Sequence, residues 1–276
     1  MRHLLSNWPE IIERLKSART FLLFADYDGT LTPIVDRPED AILSDEMRRS
    51  LRLLSILPNF TVGVISGRSL KDTINRVGLI SVVYAGNHGM EIKELSGITE
   101  VDPEILKTKP LIDDLHRKLV SNLRQIPGAI IEHKERTLSI HYRLVSENMM
   151  QKLRTLFDDT VGDAVKAGTV RITHGKKVFE VRPAVDINKG TTLRNLIDKY
   201  KRGNSIDSTT LLPIYIGDDL TDEDGFHAVE EYGNGLSVFV GAPQTQSAAR
   251  YYLHSTAEVN EFLKMLHHQI ESRFAM

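Results

Sequence analysis

Residues 21–30 have the sequence FLLFADYDGT, in which an unbroken apolar run ends at two acidic residues separated by one position. A short apolar run of this kind is typical of a strand buried on both faces of a parallel sheet. Asp26 and Asp28 therefore follow a strand directly, and Gly29 allows the chain to turn there. Because ligands of open parallel sheets bind beyond the carboxyl ends of the strands, this stretch predicts both the fold and the place of a functional site.

Apolar runs and amphipathic helical patterns alternate at both ends of the chain. The runs that predict strands lie at residues 21–26, 60–66, 82–85, 211–216 and 236–240. The helical patterns lie at residues 44–57, 70–77, 222–231 and 257–270, and in a segment that starts at Lys189. This alternation is typical of a parallel sheet covered on both faces. We therefore predict an α/β fold whose core is a Rossmann-like, doubly wound parallel sheet.

The middle of the chain has a different pattern. Its predicted strands lie at residues 129–134, 138–143, 170–173 and 178–181, and its predicted helices at residues 111–124 and 147–157. These strands alternate apolar and polar residues, as antiparallel strands with one solvated face do. We predict a smaller, inserted α+β domain at residues 106–184, between the two parts of the core at residues 1–105 and 185–276.

The composition excludes several classes of protein and of site. The 276 residues carry 35 basic and 37 acidic side chains, a formal net charge of −2, so the basic surface of a nucleic-acid binder is not expected. The chain has no cysteine, which rules out disulfides, thiolate zinc sites and cysteine nucleophiles. The first residues lack the apolar stretch of an export signal, and no apolar run approaches the roughly 20 residues of a membrane helix. We expect a soluble, cytoplasmic protein whose partner is a small molecule, neither nucleic acid nor membrane.

Acidic side chains converge at the carboxyl edge of the predicted sheet. Asp26 and Asp28 follow the first apolar run, and Asp218 and Asp219 follow the run at residues 211–216. Several carboxylates in one place repel each other unless a cation neutralises them. Mg²⁺ fits this set because it takes oxygen ligands and is commonly held by one or two carboxylates together with a substrate phosphate.

Groups that suit a phosphate lie at the same edge. Ser66 and Gly67 end the run at residues 60–66, and Lys189 opens a predicted helix. A hydroxyl group, an ammonium group and the backbone N–H groups of helix N-termini all bind phosphate oxygens. The sequence therefore predicts a site for Mg²⁺ and a phosphate.

The spacing of Asp26 and Asp28 permits two different roles. An ionised, metal-bound Asp26 can attack phosphorus, while Asp28 can give a proton to the leaving oxygen and later take one from water. Each motif alone also fits an ordinary turn or helix cap. Their joint occurrence at one sheet edge favours a catalytic site.

Four motifs of the chain resemble those of the haloacid dehalogenase superfamily of phosphatases, namely Asp26–Thr30, Ser66–Arg68, Lys189–Gly190 and Gly217–Asp219. Five segments are similar to the trehalose-6-phosphate phosphatase family within it, namely Gly86–Gly89, Glu132–Lys134, His141–Arg143, Phe179–Pro183 and Gly217–Glu223. The likeness extends over nearly the whole chain. The core motifs indicate the superfamily only in combination, and the segments in the middle of the chain point to the trehalose branch.

The resemblance implies catalytic and metal-binding roles for the acidic residues. Asp26 would be the nucleophile that forms an aspartyl-phosphate, and Asp28 would be the general acid and base. Mg²⁺ would be bound by the carboxylates of Asp26 and Asp218 and by the main-chain oxygen of Asp28, with Asp219 nearby.

The resemblance also implies which residues bind the substrate. The transferring phosphoryl group would be held by Ser66, Gly67 and Lys189. The inserted domain would be a mobile cap that determines substrate specificity. The side chains that would contact the sugar are Asn87, His88, Glu132, Lys134, Arg143, Lys176 and Glu180. Lys177 is the alternative to its neighbour Lys176.

The leading interpretation is therefore a Mg²⁺-dependent phosphatase of trehalose biosynthesis, which converts trehalose 6-phosphate to trehalose and phosphate. The first alternative is a phosphatase of the same superfamily for another phosphosugar, such as sucrose phosphate or a glycosyl-phosphoglycerate, and only the cap residues separate the two. The second is a non-catalytic phosphoacceptor signalling domain, which Asp28 and the insertion disfavour. A dinucleotide-binding oxidoreductase is disfavoured because no Gly-x-Gly-x-x-Gly follows the first strand.

Overall fold

Two β-sheets organise the chain in the computed structural model, which describes residues 1–175, 177–203, 207–243 and 246–274. The strands of the larger sheet are β1 (Arg2–His3), β2 (Thr20–Ala25), β3 (Phe60–Ile65), β4 (Val83–Gly86), β5 (Glu91–Lys93), β6 (Thr99–Val101), β11 (Leu211–Gly217), β12 (Leu236–Val240) and β13 (Tyr251–Leu253). The strands of the smaller sheet are β7 (Ile130–His133), β8 (Leu138–His141), β9 (Val170–Gly175) and β10 (Val178–Pro183).

The helices surround these sheets and connect their strands. They are α1 (Trp8–Ser17), α2 (Asp45–Ser55), α3 (Leu70–Val77), α4 (Pro103–Leu123), α5 (Glu147–Lys166), α6 (Lys189–Gly203), α7 (Glu223–Tyr232) and α8 (Thr256–Phe274). Within the described parts of the chain, no helix combines the length and the apolar character needed to cross a membrane.

The larger sheet is mainly parallel, and β2 lies near its centre. Its strand order is β1-β13-β12-β11-β2-β3-β4-β5-β6. The first seven strands in this order, which end with β4, are all parallel to the strands beside them. The next strand, β5, is antiparallel to β4. Because parallel strands end at one edge, the residues that follow β2, β3, β4 and β11 meet there.

Alternate residues of β2 contribute to two separate hydrophobic cores. Leu23 and Ala25 pack in the core that includes buried residues of α1, α2, α3 and α8. Leu22 and Phe24 pack in the core that includes α6 and α7. Since successive side chains of a strand point to opposite faces, helices cover both faces of the sheet. The predicted doubly wound α/β fold is confirmed, and the core strands predicted from the sequence lie within one residue of those observed.

Four short strands of the larger sheet are absent from the sequence prediction, namely β1, β5, β6 and β13. Each has only two or three residues, too few to show a period of two. Near the N-terminus, residues 2–3 pair with β13, and helix α1 begins at Trp8.

Two helices are longer than the sequence prediction. Helix α4 begins at Pro103 and not at residue 111, because Asp102 caps it by accepting a hydrogen bond from the Glu104 N–H at 2.8 Å. Proline at the first helical position lacks only an N–H that would have no partner there, and α4 also accommodates Pro110. Helix α5 continues past residue 157 to Lys166.

The chain divides into two compact units, Met1–Glu100 with Ile187–Met276, and Val101–Asp186. The second unit begins five residues before the predicted insertion and ends two residues after it. In it, β7, β8, β10 and β9 form an antiparallel sheet. One face of this sheet shares a hydrophobic core with α4 and α5. That this unit acts as a mobile cap stays a prediction.

Candidate active site

The carboxyl end of β2 places Asp26 in a buried ion pair. Its Oδ1 lies 2.8 Å from the Nζ of Lys189, the first residue of α6. Lys189 Nζ also lies 2.7 Å from Asp222 Oδ1. The three residues are nearly inaccessible to solvent, with exposed fractions of 6%, 2% and 0% for Asp26, Lys189 and Asp222. One buried ammonium group thus joins two carboxylates from different elements.

Asp222 is surrounded by hydrogen-bond donors. Its Oδ1 accepts from Lys189 and from the Tyr215 hydroxyl at 2.6 Å. Its Oδ2 accepts from the backbone N–H groups of Asp218 and Asp219 at 3.1 and 3.0 Å. A carboxylate has about four lone-pair positions, and these four donors use them. Asp222 therefore positions the loop after β11 and Lys189, and it has no oxygen lone pair left for a metal ion.

Asp218 lies beside the loop that carries Asp28. A Cβ atom added to Gly29 would lie 2.1 Å from Asp218 Oδ2, so only glycine allows this close approach. Gly29 also has φ +85°, a conformation that L side chains rarely adopt. The sequence motif Asp-x-Asp-Gly thus has a steric reason for its glycine.

The donor set of this site fits Mg²⁺. The carboxylate oxygens of Asp26, Asp218 and Asp222 approach one another within 4.8 Å. Since the oxygens of Asp222 are engaged, the carboxylates of Asp26 and Asp218 are the ligands that a hard cation would take. The Asp28 carboxylate is not part of this group in the described residues. Coordination by its main-chain oxygen stays a prediction.

The electrostatics of the site favour a bound cation. Burial raises the pKa of Asp26 well above its ordinary value, and the carboxylates of Asp222, Asp218 and Asp28 raise it further against the effect of Lys189. Burial lowers the pKa of Lys189, but Asp222 and Asp26 outweigh it, so the pKa is raised and the ammonium stays charged. The positive charge of a divalent cation at this place would offset the repulsion among the carboxylates and keep Asp26 ionised.

Asp28 forms a two-point ion pair with Arg68. The Nε and Nη2 atoms of Arg68 donate to the two carboxylate oxygens of Asp28 at 2.7 and 2.6 Å. Arg68 also donates to Asp72 Oδ2 at 2.9 Å and to the Pro38 carbonyl at 2.8 Å, and it lies over the Tyr27 ring. A bidentate guanidinium contact fixes both the position and the plane of a carboxylate. Arg68 thus orients the predicted general acid and base.

The predicted phosphate-binding loop follows β3. Ser66 is buried, and its hydroxyl accepts a hydrogen bond from the Arg68 N–H at 3.2 Å. Its main-chain oxygen accepts from the His88 N–H at 2.8 Å. A Cβ atom on Gly67 would lie 2.8 Å from the His88 ring. Ser66, Gly67 and His88 therefore form one closely packed corner, beside the strand that carries Asp26.

Asn87 and His88 form a strained turn after β4. Both are buried and have positive φ angles, 50° and 60°. Non-glycine residues seldom adopt this conformation, and it is concentrated at functional sites. The Asn87 amide donates to Glu91 Oε2 at 3.0 Å, and its N–H donates to the Arg68 carbonyl at 2.7 Å. The structure thus places both predicted sugar-contacting residues of the core against the loop after β3.

The smaller sheet carries a row of polar side chains on one face. Glu132 of β7 and Glu180 of β10 both pair in register with Ser139 of β8, so the three side chains lie side by side. Glu180 Oε1 accepts from Ser139 Oγ and from Lys134 Nζ, each at 3.1 Å. Glu132 Oε2 lies 3.0 Å from His141 Nε2. The structure thus brings three predicted sugar-contacting residues, Glu132, Lys134 and Glu180, onto one surface.

Of the remaining predicted residues of this unit, those that the structure describes lie at turns. Arg143 is exposed in the turn after β8, which ends at His141 and not at residue 143 as predicted. Lys176 lies outside the described residues. Lys177, the alternative, has φ 65° in the turn between β9 and β10, and its carbonyl accepts from the Tyr142 N–H at 3.0 Å.

Several residues of the site do not appear among the sequence-predicted set, namely Arg68, Tyr215, Asp222, Ser139 and His141. Asp222 and Arg68 lie inside recognised motifs, but from the sequence alone they can equally well be interpreted as residues at the ends of helices. Antiparallel register could have identified Ser139 as the neighbour of Glu132 and Glu180. Tyr215 lies in a strand whose sequence indicates only buried core residues. No sequence signal marks it as part of the site.

Comparison with known proteins gives consistent matches. A family model described as trehalose-phosphatase matches residues 24–257. The Zea mays protein named trehalose 6-phosphate phosphatase RA3 is 33% identical over 260 residues, 90% of this chain and 70% of that protein. An Arabidopsis thaliana protein named "Probable trehalose-phosphate phosphatase H" is 36% identical over 268 residues, 93% and 74% of the two chains. The solved C-terminal domain of trehalose-6-phosphate phosphatase from C. albicans superimposes with a TM-score of 0.78 at 29% identity, covering 95% of this chain and 97% of that one.

Proposed function

The chain belongs to the trehalose-phosphatase family, and from that premise we propose that it hydrolyses trehalose 6-phosphate through an aspartyl-phosphate formed on Asp26. It is a phosphatase, and its class of substrate is a phosphosugar. The observation that carries the proposal is the buried set of Asp26, Lys189, Asp218 and Asp222 at the carboxyl edge of the larger sheet.

Asp26 has the features of a nucleophile for phosphorus. Lys189 binds one of its oxygens, Oδ1, at 2.8 Å, which leaves Oδ2 to attack. Attack forms an Asp26 oxygen–phosphorus bond and breaks the bond between phosphorus and the sugar oxygen. Lys189 and the Ser66 hydroxyl are suited to bind the phosphoryl oxygens as charge develops on them. A divalent cation bound by Asp26 and Asp218 would neutralise the site and hold the phosphate oxygens near the nucleophile.

Asp28 would move the protons of both half-reactions. In the first, it gives a proton to the leaving sugar oxygen, and in the second it takes one from the water that cleaves the aspartyl-phosphate. Its carboxylate is held by Arg68 in the structure. Transfer of a proton to the sugar oxygen therefore requires that Asp28 separate from Arg68 and bind a proton.

The polar row of the smaller sheet supports a disaccharide substrate. Sugar hydroxyls both donate and accept hydrogen bonds, and the row offers carboxylate acceptors at Glu132 and Glu180 beside the ammonium donor of Lys134. A phosphatase that acted on inorganic or aryl phosphates alone would have no use for this row. We propose that it recognises the glucose rings of trehalose 6-phosphate.

The test is phosphate release by the purified 276-residue chain from trehalose 6-phosphate, sucrose phosphate, a glycosyl-phosphoglycerate and glucose 6-phosphate. We expect kcat/KM to be highest for trehalose 6-phosphate, and activity to vanish with a chelator and return with Mg²⁺. Preference for another member of the panel would overturn the substrate, and undiminished activity with the chelator would overturn the metal requirement.

The nucleophile is tested separately with Asp26→Asn. We expect kcat to fall by at least a thousandfold while the melting temperature stays the same or rises, because the change removes charge from a crowded acidic cluster. Rapid acid quenching with a radiolabelled phosphoryl group should leave label on the wild-type chain and none on the variant. Activity within tenfold of wild type would remove Asp26 from this role.

A further inference from the structure

A second group of metal-ligating side chains lies at the far edge of the larger sheet, around β1 and β13. His3 ends β1, His254 follows β13, and Glu258 lies in the first turn of α8. Each offers one ligand atom, and these three atoms lie within 4.8 Å of one another. Parallel pairing of β1 with β13 sets His3 opposite Tyr252 and so brings the two histidines together.

We propose that His3, His254 and Glu258 form a binding site for a transition-metal ion of the zinc class. Two imidazoles and one carboxylate are a ligand set that Zn²⁺ accepts, with the fourth position open to water. Tetrahedral coordination at zinc–ligand distances of about 2.0–2.2 Å sets the ligand atoms about 3.4 Å apart, so the three side chains have to adjust their positions slightly. Side-chain rotations supply this movement, because His254 is exposed and the side chains of His3 and Glu258 are only partly buried.

The surroundings of His3 already orient its ring. His3 Nε2 lies 3.0 Å from Glu258 Oε2, and His3 Nδ1 lies 2.7 Å from Ser6 Oγ. Metal-binding histidines characteristically hold their second ring nitrogen in a hydrogen bond, which selects the tautomer and aims the ligand nitrogen. Ser6 can fill this role, since its hydroxyl accepts a hydrogen bond from Nδ1 when Nε2 takes the metal.

The carboxylate of Glu258 is held in place by both histidines. Its Oε2 accepts from the His254 backbone N–H at 2.7 Å as well as contacting His3. These two contacts hold the carboxylate between the two histidines. The Glu258 contacts alone would serve to cap α8. They do not involve the His254 imidazole, whose ring lies 5.1 Å from the rings of both His3 and Tyr252.

The ligand chemistry separates this site from the acidic cluster around Asp26. The cluster offers only oxygen ligands, which suit Mg²⁺, whereas imidazole nitrogens favour zinc, copper and nickel. The two sites should therefore take different ions from a mixture. Binding at the histidine site would connect the N-terminal strand to α8 and raise the stability of the folded state, because the unfolded chain lacks the assembled ligands.

The experiment titrates the 276-residue chain with Zn²⁺ in excess Mg²⁺, using a chromophoric chelator as competitor. We expect one zinc equivalent whose affinity falls at least tenfold in each of His3→Ala, His254→Ala and Glu258→Gln. The matched control is His268→Ala, an exposed histidine of α8 outside the cluster, which should bind zinc like the wild type. Hydrolysis measured with Mg²⁺ should be unchanged in all four variants.

Two further measurements follow the ion itself. Co²⁺ should give the intense visible absorption of a four-coordinate site in the wild type and lose it in His254→Ala, and Zn²⁺ should raise the melting temperature only while the cluster is intact. The proposal is overturned if the wild type binds no zinc under these conditions. It is equally overturned if the three cluster variants bind zinc as tightly as the wild type, which would place the ion elsewhere in the chain.

Discussion

The carboxylate of Asp28 illustrates how one neighbour can set the role of a side chain. Asp26 and Asp28 are two positions apart, yet Asp26 contacts Lys189 and Asp28 contacts Arg68. Their different partners give the two carboxylates different surroundings, since Asp26 is held by a buried ammonium group, whereas Asp28 has to leave its guanidinium partner before it can carry a proton. Asp28 is also much more accessible than Asp26, with 43% of its side chain exposed against 8%. It can therefore change its orientation when a substrate arrives.

We predict that Asp28→Asn lowers kcat for trehalose 6-phosphate by about 10²–10⁴-fold, the range typical of a lost general acid. The sugar is a poor leaving group, whereas an aryl phosphate leaves without a proton. The loss should therefore be much smaller with p-nitrophenyl phosphate, measured in parallel. An equal loss on both substrates would contradict the general-acid role.

Arg68→Lys provides the matched comparison. Lysine keeps the positive charge but cannot make the two-point contact that holds the plane of the Asp28 carboxylate. We expect a smaller loss than in Asp28→Asn, again greater for the sugar phosphate than for the aryl phosphate.

Tyr215 is the least conspicuous member of the site. It is fully buried, packs against Phe226, and donates to Asp222 at 2.6 Å. Burial raises its pKa well above the ordinary value, and the Asp222 carboxylate adds to the effect, so the phenol keeps its proton and stays a donor. Through Asp222 it supports Lys189 and the backbone of the Asp218 loop.

We predict that Tyr215→Phe reduces the free energy of unfolding by about 1.5–3 kcal/mol, the usual range for a hydrogen bond to a charged group. It should also lower kcat, because Asp222 loses one of the donors that hold it against Lys189. Denaturant unfolding and steady-state kinetics measure the two effects.

Tyr84→Phe is the control for this prediction. Tyr84 is also buried, and its hydroxyl bonds to the backbone of Leu79, away from the acidic cluster. Its loss should lower stability and leave kcat unchanged. If both variants lose stability and neither loses activity, Tyr215 is only a structural residue.

At the level of elements, the contact between β4 and α3 leaves no space for a side chain. A Cβ atom on Gly86, the last residue of β4, would lie 2.2 Å from the backbone nitrogen of Leu70 at the start of α3. Backbone atoms on both sides cannot give way as a flexible side chain can. The strained turn of Asn87 and His88 follows directly, so its position depends on this contact.

We predict that Gly86→Ala lowers the free energy of unfolding by about 1–3 kcal/mol, the usual cost of overpacking, or by more. Urea unfolding followed by the fluorescence of Trp8, the single tryptophan of the chain, reports on the unit that contains it. An unfolding midpoint equal to that of the wild type would show that the strand and helix can separate without cost.

Gly162→Ala is the comparison within a helix. Gly162 lies in α5, and among the described residues no heavy atom apart from the backbone of the helix itself lies within 4 Å of the position that an alanine Cβ would take, so the added methyl group meets open space. We expect a gain of about 0.5–1 kcal/mol, because alanine has the higher helix propensity. Circular dichroism during the same titration measures it.

For the whole molecule, the two compact units suggest that chemistry and substrate recognition can be changed independently. The acidic cluster belongs to one unit, and the polar row with Glu132, Lys134 and Glu180 belongs to the other. Buried polar groups matched to a substrate discriminate strongly, because the wrong ligand leaves them unpaired.

We predict that Glu180→Gln lowers kcat/KM for trehalose 6-phosphate by about 10²-fold or more, while hydrolysis of p-nitrophenyl phosphate changes little. Glu147→Gln, an exposed change at the start of α5, should leave both activities intact. If Glu180→Gln lowers the activity on both substrates in proportion, Glu180 supports the fold of its unit and does not recognise the sugar.

Local patterns were enough to predict the core strands, the edge at which they end, the acidic and hydroxyl groups that follow them, and the lysine that opens the helix before β11. The reason is that a buried strand has to be a short apolar run, and parallel strands necessarily bring the residues after them to one edge. The coarse site at Asp26, Ser66, Lys189 and Asp218 followed from this geometry without knowledge of any contact.

The partners of those groups depend on contacts between residues far apart in the chain. Arg68 reaches Asp28 across forty positions, Asp222 binds Lys189 across thirty-three, and His3 meets Glu258 across 255. Such pairs depend on strand register and side-chain rotamers, which periodicity does not encode. For the same reason the short edge strand β1 became visible only once its pairing with β13 was in place. The early start of α4 has a different cause, because it depends on the local cap that Asp102 provides to Glu104.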